Sequence, residues 1–257
     1  MDPRVKDRRR GVQQRRGRHR LVAALVATVV TLAAVGYLFV RSSDVFAVQR
    51  VFVPVTERVP EGDLRAAVMP ARGVNLLRVS TSELEERIRS IPYVREAAVY
   101  RSFPEALEVH VREYVPEARV RDEEGGAWLI ADDGRVLEQD TTGVSTLLFI
   151  LPVEVSVPRV GGHVSPQVVA AIPLARTLAD STAWPIARHP VEYVGVSDAG
   201  ELIVVLEGGG ELRLGDPTKL DEKLTVSLEV IDRYLRDGKS LDYVDVRVPT
   251  RVVAKAR

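Results

Sequence analysis

The 257-residue sequence predicts an α+β protein in three parts: a single N-terminal transmembrane helix, a β-α-α-β-β unit, and a mostly antiparallel β-domain with two helices. Three observations predict it. Leu21–Val40 holds twenty residues without one charge. As a helix that run covers roughly 30 Å, the thickness of a bilayer's hydrocarbon core. Residues 45–115 alternate strand patterns with two helical ones, each helix stopped by a proline. Residues 116–257 break into short strands between Gly, Asp and Pro turns, with two longer helical patterns among them.

The apolar run has unequal flanks. Residues 1–20 hold nine Lys/Arg (Arg4, Lys6, Arg8, Arg9, Arg10, Arg15, Arg16, Arg18, Arg20) against Asp2 and Asp7, a charge of +7; the whole chain sums to zero, so the remainder carries −7. Cytoplasmic flanks collect Lys and Arg, which places the tail 1–20 inside and the residues after Val40 outside. A cleaved signal peptide is the rival reading. Its apolar region runs about 7–15 residues and meets small residues at the cleavage site. Here the run is longer and ends in Tyr37, Leu38, Phe39 and Val40, so it reads as an uncleaved anchor. The tail has no apolar periodicity and reads as disordered. Its charge suits anionic headgroups. It has no aromatic residue to stack on bases, which argues against nucleic acid. With no cysteine, disulfides, thiolate metal sites and a Cys nucleophile are excluded.

After a short polar link, Phe46–Val55 alternates as a half-buried strand. Pro60 opens a helix over Glu61–Met69 with Leu64, Ala67 and Val68 on one face; Pro70 stops it and Gly73 marks a turn. Ser82 with Glu85, or Ser80 with Glu83, forms a capping box for the next helix, whose stripe is Leu84, Ile88 and Ile91. Pro92 ends it. Val94–Arg101 and Ala106–Tyr114 follow as strands joined by Ser102-Phe103-Pro104-Glu105.

Beyond Pro116 the segments shorten. Trp128-Leu129-Ile130 and Arg135-Val136-Leu137 flank Asp132-Asp133-Gly134, a hairpin signal. Leu147–Val157 is apolar, with Pro152 and Pro158 predicting a short or edge strand. Ser165-Pro166 begins a helix to about Asp180, which Pro173 is expected to kink or shorten. Val191–Val196, Glu201–Leu206 and Glu211–Leu214 read as strands. Asp216-Pro217 repeats the N-cap and Pro device before a helix to about Asp237, with Leu220, Leu224, Ser227, Leu228, Ile231 and Leu235 on its buried stripe. Leu241–Val248 is the last strong strand. Pro249 cannot donate to a ladder, so this end reads as a sheet edge open to a partner strand. Lys255, Arg251 and Arg257 discourage self-pairing there and favour an acidic partner segment.

Several stretches carry a family resemblance. Phe46-Ala47-Val48-Gln49-Arg50-Val51, Gly73-Val74-Asn75-Leu76-Leu77, Ile91-Pro92-Tyr93-Val94-Arg95-Glu96-Ala97, Arg101-Ser102-Phe103-Pro104 and Val109-His110-Val111-Arg112-Glu113 resemble a POTRA domain of the FtsQ/DivIB family of bacterial cell-division proteins. Gly210-Glu211-Leu212-Arg213-Leu214-Gly215, Lys219-Leu220 and Tyr243-Val244-Asp245-Val246-Arg247 resemble the end of the FtsQ-type β-domain. One departure is Val55-Thr56-Glu57-Arg58, where the family usually has a Gly-Asn turn. The resemblance implies a POTRA domain over 45–115 and an FtsQ-type β-domain over 116–257. It implies a non-enzymatic scaffold of the plasma membrane at the division septum. FtsB- and FtsL-like partners would bind through the β-domain, other divisome proteins through the POTRA domain, with links to septal wall synthesis. In the family the last strand and the helix before it receive FtsB. Carried over, this points to Arg247, Val248, Thr250, Val252 and Val253, with Lys223 and Arg233 as outward residues of the 217–237 helix.

The chemistry-bearing residues support no catalytic site, metal or cofactor. His19, His110, His163 and His189 show no metal-ligand spacing, and there is no HExxH motif. Gly208-Gly209-Gly210 and Gly161-Gly162 lack the Lys-Ser/Thr of a phosphate loop. Asp132-Asp133 fits a hairpin turn, and Asp242 and Asp245 stand at odd separation on a strand, facing opposite sides. Trp128 and Trp184 read as core or turn anchors. An anchored cell-wall hydrolase would need a nucleophile or carboxylate pair absent from this pattern. An outer-membrane POTRA assembly factor would need several POTRA units and a barrel.

Overall fold

The computed structural model describes residues 24–39, 41, 43–122, 124–141, 143, 146–152, 159–180, 182–185 and 188–257. The predicted tail 1–20, residues 21–23 and 40 of the apolar run, and the 153–157 end of one predicted strand lie outside them. Residues 24–39 form a helix (α1), uncharged and exposed on all sides. Among the described residues no helix is long and apolar enough to cross a membrane. The chain divides into two compact units: the first is the chain up to Ile88 with Ala97–Val111, the second Arg89–Glu96 with Arg112–Arg257.

The first unit is built on a three-stranded sheet of β1 (Arg50–Phe52), β2 (Val94–Ser102) and β3 (Ala106–Glu113), in the order β1-β3-β2. Helices α2 (Glu61–Val68) and α3 (Thr81–Arg89) complete the expected β-α-α-β-β order. Leu64 and Val68 of α2 and Leu84 and Ile88 of α3 are buried, the apolar stripes the sequence spaced one turn apart. Of the two possible capping boxes the chain uses Ser80, whose Oγ accepts the Glu83 N–H at 3.4 Å. Glu85 instead reaches strand β2, accepting the Val99 N–H at 2.9 Å. The first strand is shorter than its alternation suggests. Asp44–Phe46 wind into a 3-10 turn capped by Ser43, and the Val48 N–H bonds Val74 O outside any ladder. Only Arg50–Phe52 run beside β3, parallel, with Val51 opposite Leu107.

In the second unit, among the described residues, nine strands form one sheet in the order β12-β11-β10-β9-β8-β7-β4-β5-β6. They are β4 (Pro116–Arg121), β5 (Ala127–Ala131), β6 (Val136–Gln139), β7 (Phe149–Pro152), β8 (Val191–Val196), β9 (Leu202–Leu206), β10 (Glu211–Gly215), β11 (Leu241–Asp245) and β12 (Val253–Ala256). Five of the eight pairings are antiparallel; β4–β7, β7–β8 and β10–β11 are parallel. Strand β7 is short, as Pro152 predicts, but it lies inside the sheet rather than at an edge. Pro152 is its last residue, where one missing N–H costs least.

Helices α4 (Pro166–Ala179) and α5 (Leu220–Arg236) pack on the core. Helix α4 starts at Pro166 after Ser165, as expected, although the Ser165 side chain makes no capping hydrogen bond, and Pro173 does not shorten the helix. The helix continues because the face around the missing donor is held by burial of Val168, Ala171, Ile172, Leu174, Ala175 and Leu178. Trp184 is fully buried and donates its indole N–H to His189 O at 2.8 Å, a core anchor as its type predicts.

The pairing registers thread one row of side chains across eight strands: Trp128, Val120, Ile150, Val194, Val204, Leu212, Val244 and Ala254. Ile150 sits near its middle with no exposed surface. Ile150→Ala is expected to cost about 2–5 kcal/mol, the range for emptying a dry core position. Urea denaturation of the full chain in detergent measures it. A change below about 1 kcal/mol would show that the row is not the core of this sheet.

Candidate partner-binding edge

Strand β11 ends at Asp245, and β10 and β12 flank it on both sides. The expected edge at Leu241–Val248 is therefore corrected: the chain turns through residues 246–252 and returns as β12, which is the sheet's edge. Pro249 sits in that turn, where it needs no ladder partner. The sequence hid β12 because four residues after a proline give too short an alternation to read.

Strand β12 has one paired side and one open side. The Arg257 N–H donates inward to Ser240 O at 3.0 Å. Main-chain groups alternate along a strand, so those of Lys255 and Val253 also point inward, and those of Ala254 and Ala256 point to the open side. Side chains alternate across the sheet's faces. Val252 and Ala254 pack against the core, while Val253 and Lys255 stand on the opposite face, Val253 being 55% exposed.

Five of the seven sequence-predicted residues fall on this one segment. Arg247, Val248 and Thr250 are exposed in the turn, Val252 is half-buried, and Val253 opens β12. The Arg247 stem lies over Gly215, where a Cβ would come within 2.8 Å of its Cγ. Its guanidinium reaches Asp245 Oδ2 at 2.7 Å. That hydrogen bond lowers the Asp245 pKa and raises that of Arg247. Lys255 Nζ lies 3.0 Å from Asp242 Oδ2, which lowers the Asp242 pKa and raises that of Lys255. Asp242 and Asp245 are each engaged by a separate cation and form no shared site. Arg251 and Arg233 are exposed and make no side-chain ion pair among the described residues.

Arg233 lies on the outer side of α5, as expected, but Lys223 does not. Its side chain is 2% exposed and its ammonium donates to Asp216 O at 2.9 Å and Asp216 Oδ1 at 3.1 Å. The buried stripe of α5 is Lys223, Leu224, Ser227 and Ile231, rotated so that Leu235 is exposed instead. The helix also starts later than Asp216-Pro217 suggests, at Leu220 after Lys219 in the left-handed region. Asp216 caps a turn: its Oδ1 accepts from the Thr218 N–H at 2.9 Å and from the Thr218 hydroxyl. Those two bonds, then the one from Lys223, hold the Asp216 pKa at about 2.

Other polar candidates are structural. Asp133 Oδ1 accepts the Arg135 N–H at 3.0 Å inside the β5–β6 hairpin. His110 pairs with Glu108 two residues away on β3, and buried His189 places Nε2 3.1 Å from Asp232. Among the described residues no group of acidic and histidine side chains is arranged to hold a metal.

The family model "POTRA domain, FtsQ-type" matches residues 46–114, and "Cell division protein FtsQ/DivIB, C-terminal" matches residues 118–247. The chain is 26% identical to the cell division protein FtsQ of Anaeromyxobacter sp. (strain K) over 261 residues, 93% of this chain and 86% of that protein. It is 24% identical to the FtsQ of Thiomonas arsenitoxydans over 245 residues, 90% of this chain and 84% of that one. It is 34% identical to the FtsQ of Bordetella pertussis over 100 residues, 38% of this chain and 37% of that one.

The bonds that Asp216 accepts from Thr218 and Lys223 make a pH-dependent prediction. Asp216 has a folded pKa of about 2 against an ordinary 3.8, so its contribution is present above about pH 4 and lost as pH falls toward 2. Asp216→Asn is expected to lower the urea midpoint at pH 7, with the gap narrowing as pH falls through about 2. Lys223→Met, which keeps the stem and removes the ammonium, is expected to cost about 1–3 kcal/mol at pH 7. A gap that stays constant across that pH range would contradict the assignment.

Proposed function

The chain belongs to the FtsQ/DivIB family of cell-division proteins, and on that premise we propose that it is a non-enzymatic, single-span membrane scaffold of the divisome whose β12 edge takes up a strand of an FtsB-like partner. The observation that carries this reading is the open side of β12, with the main-chain groups of Ala254 and Ala256 turned outward beside a basic rim. An added strand gains main-chain hydrogen bonds there. Arg247, Val248, Thr250, Val252 and Val253 would make its side-chain contacts. Arg233 would add charge from α5. Lys223 is left out because it is buried against Asp216. An FtsL-like protein would join through the same β-domain, tying the complex to septal wall synthesis.

The membrane anchor is proposed over Leu21–Val40. The described helix 24–39 supports it, since Leu25, Val29, Leu32, Val35 and Phe39 are all exposed apolar residues. An uncharged helix with no buried face is stable in lipid rather than in water. The +7 tail then stays in the cytoplasm. The domain boundary is proposed between residues 115 and 116, consistent with the two matched ranges.

Two experiments test these points. Val253→Asp with Ala254→Pro, in the full chain, is expected to weaken capture of an FtsB-like partner at least tenfold while circular dichroism stays unchanged. Undiminished capture by a folded variant would move the site elsewhere. Protease added to intact spheroplasts is expected to digest the C-terminal portion and to spare a tag at residue 1. Loss of the tag with survival of the C-terminal portion would reverse the topology.

A further inference from the structure

The first unit carries a second open edge. Strand β1 is at the margin of its three-stranded sheet, paired on one side only, with β3. Gln49 and Arg50 both direct their N–H to Glu105 O, and in the parallel register that follows Arg50 and Phe52 face β3 while the N–H and C=O of Val51 turn the other way. Beside that free edge runs a groove of about 490 Å³, lined by Gln49, Arg50, Val51 and Phe52 from β1 and by Arg65, Val68, Met69 and Arg72 from α2 and the turn after it.

The lining has two kinds of surface. Its walls are apolar: Val68 is buried at the base, while Phe52 and Met69 stand 53% and 57% exposed. Its rim holds three arginines and no carboxylate. Arg50 is paired to Glu105 at 2.9 Å and Arg65 to Glu61 one helical turn earlier, both from outside the lining. Arg72 makes no side-chain ion pair among the described residues. The exposed Met69 beside the uncovered Arg72 guanidinium gives the groove both an apolar and a cationic contact for a ligand. Planar guanidinium groups bind carboxylates, and a free strand edge binds extended main chain.

We propose that this groove binds an extended acidic segment of another protein, laid along β1, with an apolar side chain against Val51 and Met69 and a carboxylate at Arg72. This site lies in the first unit, uses none of the β12 residues, and does not rest on the β12 reading.

The test uses the full chain in neutral detergent and a fluorescein-labelled peptide, Asp-Glu-Val-Phe-Val-Glu-Asp. A second peptide carries Lys at every acidic position. Fluorescence anisotropy is expected to show saturable binding of the acidic peptide alone. Its Kd should rise at least tenfold in Arg72→Glu, in Met69→Asp and in 0.5 M sodium chloride, and stay unchanged in Val253→Asp. Both substituted positions are exposed; if circular dichroism shows Met69→Asp misfolded, Arg72→Glu decides. Equal binding of both peptides, no binding of either, or binding indifferent to Arg72→Glu would overturn the proposal. Loss of peptide binding in Val253→Asp would overturn it too, by moving the peptide to β12.

Discussion

The row from Trp128 to Ala254 is what the second unit depends on. Val120, Ile150, Val194, Val204, Leu212 and Val244 within it are all but inaccessible to water, and each faces its neighbour in the ladder. Strand side chains alternate with a period of two, so shifting any strand by one residue would turn its apolar set out of the core. The constraint passes from strand to strand until it reaches β12. Ala254 is therefore an inward residue because Val244 is, and Val253 and Lys255 are outward for the same reason. A four-residue edge strand has little strength of its own. Its orientation is borrowed from a core six strands deep.

The opposite face carries a second continuous row: Arg119, Phe149, Tyr193, Val205, Glu211, Tyr243 and Lys255. Both helices belong to the core on the first face, so here arginines provide the cover. Arg119 and Arg121 stack on Phe149 at 4.0 and 4.5 Å, and Arg213 stacks on Tyr243 at 4.1 Å. A guanidinium over a ring shields apolar surface while staying hydrated. The same row ends at Lys255 on the edge, so two copies meeting edge to edge would bring like charges together. Asp242 and Asp245 offset part of the charge of Lys255 and Arg247, while Arg251 makes no such pair among the described residues and keeps its charge.

What the sequence reveals and conceals follows from these forces. The β-α-α-β-β order and the starts of α3 and α4 are legible because local chemistry decides them: Ser80 with Glu83, and Ser165 with Pro166. Lys223 is illegible because residue type argues against burial. A four-carbon stem covers the core while the ammonium reaches back to Asp216, so the stripe rotates and Leu235 is left outside. The length of β1 is concealed because alternation reports two faces and not a partner. Phe46 and Val48 alternate and the pattern resumes out of phase at Val51, but only the stretch beside Ala106–Glu108 has a ladder. Pro173 inside a helix shows tertiary burial overriding a local rule.

Both open edges are short, and that limits how they can work. Strand β12 has four residues and β1 three, so alternation offers an added strand the outward groups of only one or two residues on each. A net main-chain hydrogen bond contributes about 0.5–1.5 kcal/mol. Two to four of them amount to a few kcal/mol, whereas a micromolar complex needs about 8. Main-chain pairing at either edge can set register and direction, but side chains must supply the remaining affinity. For the proposed partners, the candidates are Val253 with Arg251 at β12 and Met69 with Arg72 beside β1. This division favours discrimination. A segment of the wrong charge still finds the hydrogen bonds of the edge, yet lacks the larger part of the binding free energy and dissociates.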